Sequence, residues 1–357
     1  PLKQAAEKFP AGKLAEFLRA PEAHYSWIRM PNFRLTTAEA KELSEYILKS
    51  ATPAKEEPAS TPALLEKGKN LVQSAGCLQC HSLKLENKST APDFAKLVSA
   101  AKADRSKSPK GDCLGATPFA DYSFSPQEKA ALGAFIARGE DSLLRHVPVE
   151  FAGRQSRELN CTGCHGQVDG FPPLELLGGK LKPEWMAQFI GGEITYKPRA
   201  EKHPKGEPWL EMRMPAFKTR PRLLAEGLAE QHGYAPKTPA EPPLNEELAR
   251  LGQKLVGKDG GFSCISCHSV ASLEATEVFE SEGINLAYSA DRLLPQYYRR
   301  WLRSPLSIDP QTKMPVYFED GKSPLTDILD GDGEKQIEAV WQYLRLGQKM
   351  PLPATGQ

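Results

Sequence analysis

Apolar positions along this chain recur at helical spacing. Near the C-terminus Ile337, Val340, Trp341 and Leu344 fall at i, i+3, i+4 and i+7, one face of a helix. Leu132, Phe135 and Ile136 repeat the start of that pattern, as do Leu43, Tyr46 and Ile47. Ser125 with Glu128, and Thr36 with Glu39, stand just ahead of these runs and read as capping boxes. Further helices are predicted over residues 64–72 and 248–256, and strand-like alternation is scarce. The pattern predicts an all-α chain. Trp185 in PEWMAQFI and Trp301 in YYRRWLRSP stand at like positions, as core aromatics or as packing for a cofactor.

Two stretches interrupt the pattern. Residues 51–63 (ATPAKEEPASTPA) and 235–243 (APKTPAEPP) are rich in Pro, Ala, Lys and Glu and read as linkers with little to bury. A weaker break falls at 141–148. The cuts leave four pieces, 1–50, 62–140, 145–234 and 244–348, within the two to four domains that 357 residues allow. The pieces share a plan: helix, irregular loop, Met-Pro, closing helix.

Charge narrows the function classes. With 46 Lys and Arg against 45 Asp and Glu the formal charge is +1, so nothing points to nucleic acid or another polyanion. No apolar run is long enough to span a bilayer and no secretory leader opens the sequence. A leader removed in maturation and a start inside a longer protein both fit that opening.

The cysteines carry the chemistry. Six of the seven form three Cys-x-x-Cys pairs, each followed at once by histidine: Cys77, Cys80 and His81; Cys161, Cys164 and His165; Cys264, Cys267 and His268. This is the signature of c-type haem attachment, three haem c groups in all. Two thiols about one helical turn apart reach both vinyl positions of a porphyrin from one side, and the histidine offers its ring to the iron. Zinc would need two such half-sites together, and a redox dithiol has no reason to recur three times with His attached.

A sixth ligand is predicted downstream. Met214-Pro215-Ala216-Phe217 lies 49 residues after His165, and Met314-Pro315-Val316-Tyr317 lies 46 after His268. A thioether across the haem favours reduced iron and raises the potential, while the proline stiffens the presenting loop. The plain alternative is a methionine filling core space. Met212 lacks the proline, and Met350-Pro351 follows the last helix; neither is read as a ligand. His24, His203 and His232 have no motif around them.

These pieces resemble repeats of the class I cytochrome c fold, in which an N-terminal helix leads into Cys-x-x-Cys-His and a Met-Pro loop precedes a C-terminal helix. The likeness covers nearly the whole chain. It implies covalent haem on the cysteine pairs, proximal His165 and His268, and distal Met214 and Met314. It also implies maturation outside the cytoplasm, hence a periplasmic or extracellular bacterial protein.

Two repeats depart from the pattern. The first has Met30-Pro31-Asn32-Phe33 and a closing helix but no attachment motif, so Met30 would serve a haem-bearing segment or subunit upstream; a haemless half-repeat is the alternative. The second, around His81, has no methionine before its closing helix, and Phe119 stands where Met30 does. Cys113, Lys110, His146 or an open site are the candidates for its sixth position; Cys113 as thiolate would resemble the Cys-ligated haems of sulfur-oxidising cytochromes. A buried or intermolecularly paired thiol is the other reading of Cys113.

The function expected is electron carriage between redox partner proteins through several haems on one chain. The alternative is a haem enzyme or enzyme subunit, oxidising sulfur compounds or reducing peroxide, with the His81 site as reaction centre. A third is an electron-accepting subunit docked on a dehydrogenase.

Overall fold

The computed structural model describes residues 2–23, 28–53, 60–79, 81–89, 93–103, 123–139, 147–167, 172–194, 214–218, 220–278 and 282–356. Helices dominate these residues, and strand-like pairing is confined to isolated bridges. None of the described helices is long and apolar enough to cross a membrane. The all-α expectation holds. The chain divides into two units, one formed by Pro1–Thr52 with Val147–Gln357, the other by Pro53–His146.

In the larger unit, α1 (Lys13–Arg19) and α2 (Thr37–Ser50) form the N-terminal piece. The smaller unit contains α3 (Pro62–Ser74), α4 (Phe94–Ala103) and α5 (Pro126–Arg138). The larger unit resumes with α6 (Pro148–Glu158), α7 (Leu174–Lys180), α8 (Pro183–Gly191) and α9 (Pro221–Gln231). It ends with α10 (Glu246–Val256), α11 (Pro295–Arg303) and α12 (Gly333–Leu344). Both capping boxes occur: Thr36 and Ser125 accept from the backbone N–H of Glu39 and Glu128, whose carboxylates reach back to the cap N–H. The reciprocal bonds satisfy donors that a helix start leaves open.

Opening and closing helices pack against each other in the last two repeats. α10 crosses α12 at Gly252, where an added Cβ would lie 2.1 Å from the Ala339 carbonyl and 2.8 Å from Tyr343 Cβ. Only glycine lets the backbones approach this closely. The face predicted for α12 is inside: Ile337, Val340, Trp341 and Leu344 are all buried, as is Tyr343. α6 meets α9 at Gly227, where an added Cβ would lie 2.1 Å from the Pro148 carbonyl and 2.5 Å from Ala152 Cβ. The third core is completed by the fourth repeat, because Leu293, Leu294 and Tyr297 pack with Phe151, Trp185 and Leu224. An isolated antiparallel bridge between Leu181 and Leu293 fixes that junction.

Three expectations need correction. The buried side of α2 carries Ala40 and Ser44, with Ile47 and Leu48 packed on Leu14 and Leu18, whereas Leu43 and Tyr46 are 42% and 73% exposed. The helix is rotated from its predicted face because its partner is α1, and no described helix plays for it the part that α10 plays for α12. Segment 235–243 is not a loose linker. Glu241 accepts from Trp341 Nε1 at 2.7 Å and pairs with Lys182 and Arg345, while Thr238 donates to Glu184 at 2.7 Å. Trp185 matches Tyr297 rather than Trp301: each is the third residue of a helix begun by proline, and each stacks on the aromatic four residues later, Phe189 or Trp301.

In the smaller unit α3 exposes Leu64, Leu65 and Leu71, so its apolar side lacks the cover that α12 gives α10. α4 and α5 pack on each other, with Phe94 and Phe135 at 5.5 Å.

Gly252→Ala should overpack the α10–α12 crossing and cost about 1–3 kcal/mol. Chemical denaturation of the purified protein measures it; unchanged stability would mean that the helices do not cross there.

Candidate metal centres

The three attachment motifs share one backbone shape. A 3-10 turn begins at the first cysteine in each: Cys77–Gln79, Cys161–Gly163 and Cys264–Ser266. The residue before it is left-handed each time, Gly76 at φ 84°, Asn160 at 54° and Ser263 at 58°. The histidine N–H then donates to the carbonyl of the first cysteine, at 2.9, 3.0 and 2.9 Å for His81, His165 and His268. Glycine and asparagine take up such a φ readily; serine does so less often, and at Ser263 the closed turn holds it there. Cys77, Cys161, Cys164, Cys264 and Cys267 are free thiols.

Burial pushes the Cys161 thiol up and the Cys264 thiol up to about 12. A reactive attacking thiol has the opposite shift. Among the described residues no three His, Cys, Asp or Glu side chains gather as a structural zinc site requires.

The imidazoles are oriented from behind. His165 Nδ1 lies 2.8 Å from the Pro172 carbonyl, and His268 Nδ1 lies 2.8 Å from the Ile284 carbonyl. A carbonyl only accepts, so Nδ1 carries a proton, and in the neutral ring Nε2 is then the nitrogen with the lone pair. A backbone partner of this kind fixes tautomer and ring angle. At His268 the acceptor is itself held, since Gly283 N donates to Cys267 O at 2.7 Å and Leu286 N to Ser269 O at 2.8 Å. Gly283 sits against the ring; a Cβ there would come within 2.3 Å of it. His81 has the same turn but an exposed side chain.

The Met-Pro loops are anchored by the aromatic that follows. Tyr317 donates to the Phe262 carbonyl at 3.0 Å and its ring lies 4.7 Å from that of Phe262, two residues before Cys264. This ties the Met314 loop to the start of its own motif. Met314 Sδ accepts from Trp301 Nε1 at 3.0 Å. In the third repeat Phe217 N donates to the Ile190 carbonyl at 2.7 Å, and Met214 packs on the same core.

Met30 is placed by a contact that local pattern does not reveal. Its loop pairs antiparallel with the Met214 loop: Asn32 N donates to Ala216 O at 2.9 Å and Ala216 N to Asn32 O at 2.7 Å. Two Met-Pro-x-Phe segments thus meet at their x residues. Arg34 donates to the Met214 carbonyl at 2.8 Å, and Arg29 pairs with Glu158 at the end of α6. Glu22 accepts from Lys218 at 2.6 Å and from Asn32 at 3.0 Å.

Cys80, Cys113, Lys110, His146, Phe119, His24, His203 and Met212 lie outside the described residues. His232 is described, at the end of α9 with its ring beside Gly178 of α7. Comparison with protein-family models, with curated proteins and with solved structures finds no match for this chain.

Partial burial raises the Glu22 carboxyl, but Lys218 and Asn32 outweigh it and leave its pKa below the ordinary 4.5. A depressed carboxyl stabilises the fold above the unfolded-state value and loses that contribution as pH falls through the folded one. Glu22→Gln should therefore destabilise the protein at neutral pH, with the deficit shrinking below about pH 4.5. A deficit independent of pH would mean that the Glu22 charge is not what holds the paired loops.

Proposed function

We propose that this chain is a multihaem c-type cytochrome that carries electrons between redox partner proteins outside the cytoplasm. The observation that carries the reading is the pair of Nδ1–carbonyl bonds at His165 and His268, each behind an identical Cys-x-x-Cys turn. It fits a proximal ligand, because a carbonyl behind Nδ1 sets the ring angle and makes Nε2 the lone-pair nitrogen of the neutral ring. Bound haem supplies a one-electron iron couple.

The protein's part is attachment, orientation and tuning. Cys77 with Cys80, Cys161 with Cys164, and Cys264 with Cys267 would each hold one haem through two thioether bonds. His81, His165 and His268 give Nε2 to the iron. Met214 and Met314 give sulfur from loops that Phe217 and Tyr317 anchor, which favours the reduced state. Met30 would ligate in the same manner for a haem-bearing segment or subunit outside this chain. The exposed Leu43 and Tyr46 support that assignment, since Ile337 and Val340 at the matching positions of α12 are buried.

Catalysis at the His81 site is the second reading, favoured by one observation: His81 is exposed, whereas His165 and His268 are half-buried. Its domain also lacks a methionine before the closing helix, leaving Cys113 or another donor, or no donor, for the sixth position. Each replacement favours ferric iron more than a thioether does. This site is therefore the lowest in potential.

A spectroelectrochemical titration tests both. The thioether-to-ferric charge-transfer band should fall stepwise in Met214→Ala and Met314→Ala, with the His81 site reduced last. If neither substitution alters the band, the axial pairs are wrong. An exogenous ligand that binds at His81 without denaturant would favour catalysis over carriage.

A further inference from the structure

The two Met-ligated sites of the proposal differ, among other side chains, at one aromatic position. α8 and α11 both begin with proline, and their seventh residues, Phe189 and Trp301, occupy the same turn. Each stacks on the aromatic four residues before it: Phe189 on Trp185 at 4.9 Å and 14°, Trp301 on Tyr297 at 6.1 Å and 19°. Only the tryptophan carries a polar handle. Its Nε1 lies 3.0 Å from Met314 Sδ.

We infer that Trp301 tunes the Met314 site upward in potential by donating its indole N–H to the thioether sulfur, and that this separates it from the Met214 site, where Phe189 has no proton to give. The inference rests on Met314 and Met214 being iron ligands. Indole nitrogen is a donor only, and a partly buried one needs a partner. Thioether sulfur is a weak acceptor with two lone pairs. A lone pair shared with an N–H proton lowers the electron density left for a metal. Ferric iron depends on that density more than ferrous iron does, so the bond favours the reduced state. Trp301 touches the ligand and not the iron; it is a positioning and tuning residue. With the same His and Met donors in both repeats, the second layer of side chains then sets the order in which the two sites fill with electrons.

The test is a redox titration of the loaded full chain, wild type against Trp301→Phe, followed at the thioether charge-transfer band, with haem content checked by intact mass. The expected result is a shift of one wave to lower potential, the band and haem content being retained and the other waves unmoved. If the band persists and no wave shifts, the tuning role is overturned while the ligand assignment stands. If the wild type has no such band, the ligand assignment itself fails. If Trp301→Phe loses the band by displacing Met314, benzothienylalanine at position 301 decides, since it keeps the bicyclic shape and lacks the N–H. A lowered wave in that protein supports the role, and an unchanged one overturns it.

Discussion

A single hydrogen bond, from imidazole Nδ1 to a backbone carbonyl, is what turns these sequence motifs into candidate metal ligands. Without it a histidine ring after Cys-x-x-Cys could rotate and present either nitrogen. With the Pro172 and Ile284 carbonyls behind Nδ1, the rings of His165 and His268 are each held at one angle, and in the neutral ring Nε2 is the nitrogen with the lone pair. The surrounding loop exists to hold that acceptor: the 283 and 286 amides clamp the segment around Ile284 onto the motif, and Gly283 leaves room for the ring. The left-handed residue before each first cysteine and the closed His-to-Cys turn serve the same end.

The repeats of the larger unit lean on one another. Leu293, Leu294 and Tyr297 finish the core of the preceding repeat, and the Asn32–Ala216 pairing joins the first repeat to the third through their Met-Pro loops. Two Met-Pro loops are thereby held to each other by paired backbone hydrogen bonds. In the function proposed above, a ligand loop held in this way would change little between oxidised and reduced states. The pairing also places the two loops of different repeats in direct backbone contact, so that packing at one is felt at the other.

Much of this was legible in the sequence, and the exceptions share a cause. Motif spacing, Met-Pro loops, capping boxes at Thr36 and Ser125, and the buried face of the last helix are local patterns, and local patterns survive reading one residue at a time. The face of α2 was misread because its burial is decided by α1 rather than by its own most apolar positions. Trp185 and Trp301 look alike in sequence, yet the helix starts at Pro183 and Pro295 put Trp185 in register with Tyr297. The role of Glu241 in holding 235–243 down depends on Trp341 and Arg345, a hundred residues away, and no window of composition contains that information. The Asn32–Ala216 pairing is equally non-local.

The central claim is that all three cysteine pairs are attachment sites. Intact-mass measurement of the chain purified after export, with peptide mapping across Cys77–His81, Cys161–His165 and Cys264–His268, addresses it most directly. The account requires a mass above that of the polypeptide by three haems, one on each mapped peptide. A chain carrying unmodified thiols at any of the three pairs would contradict it.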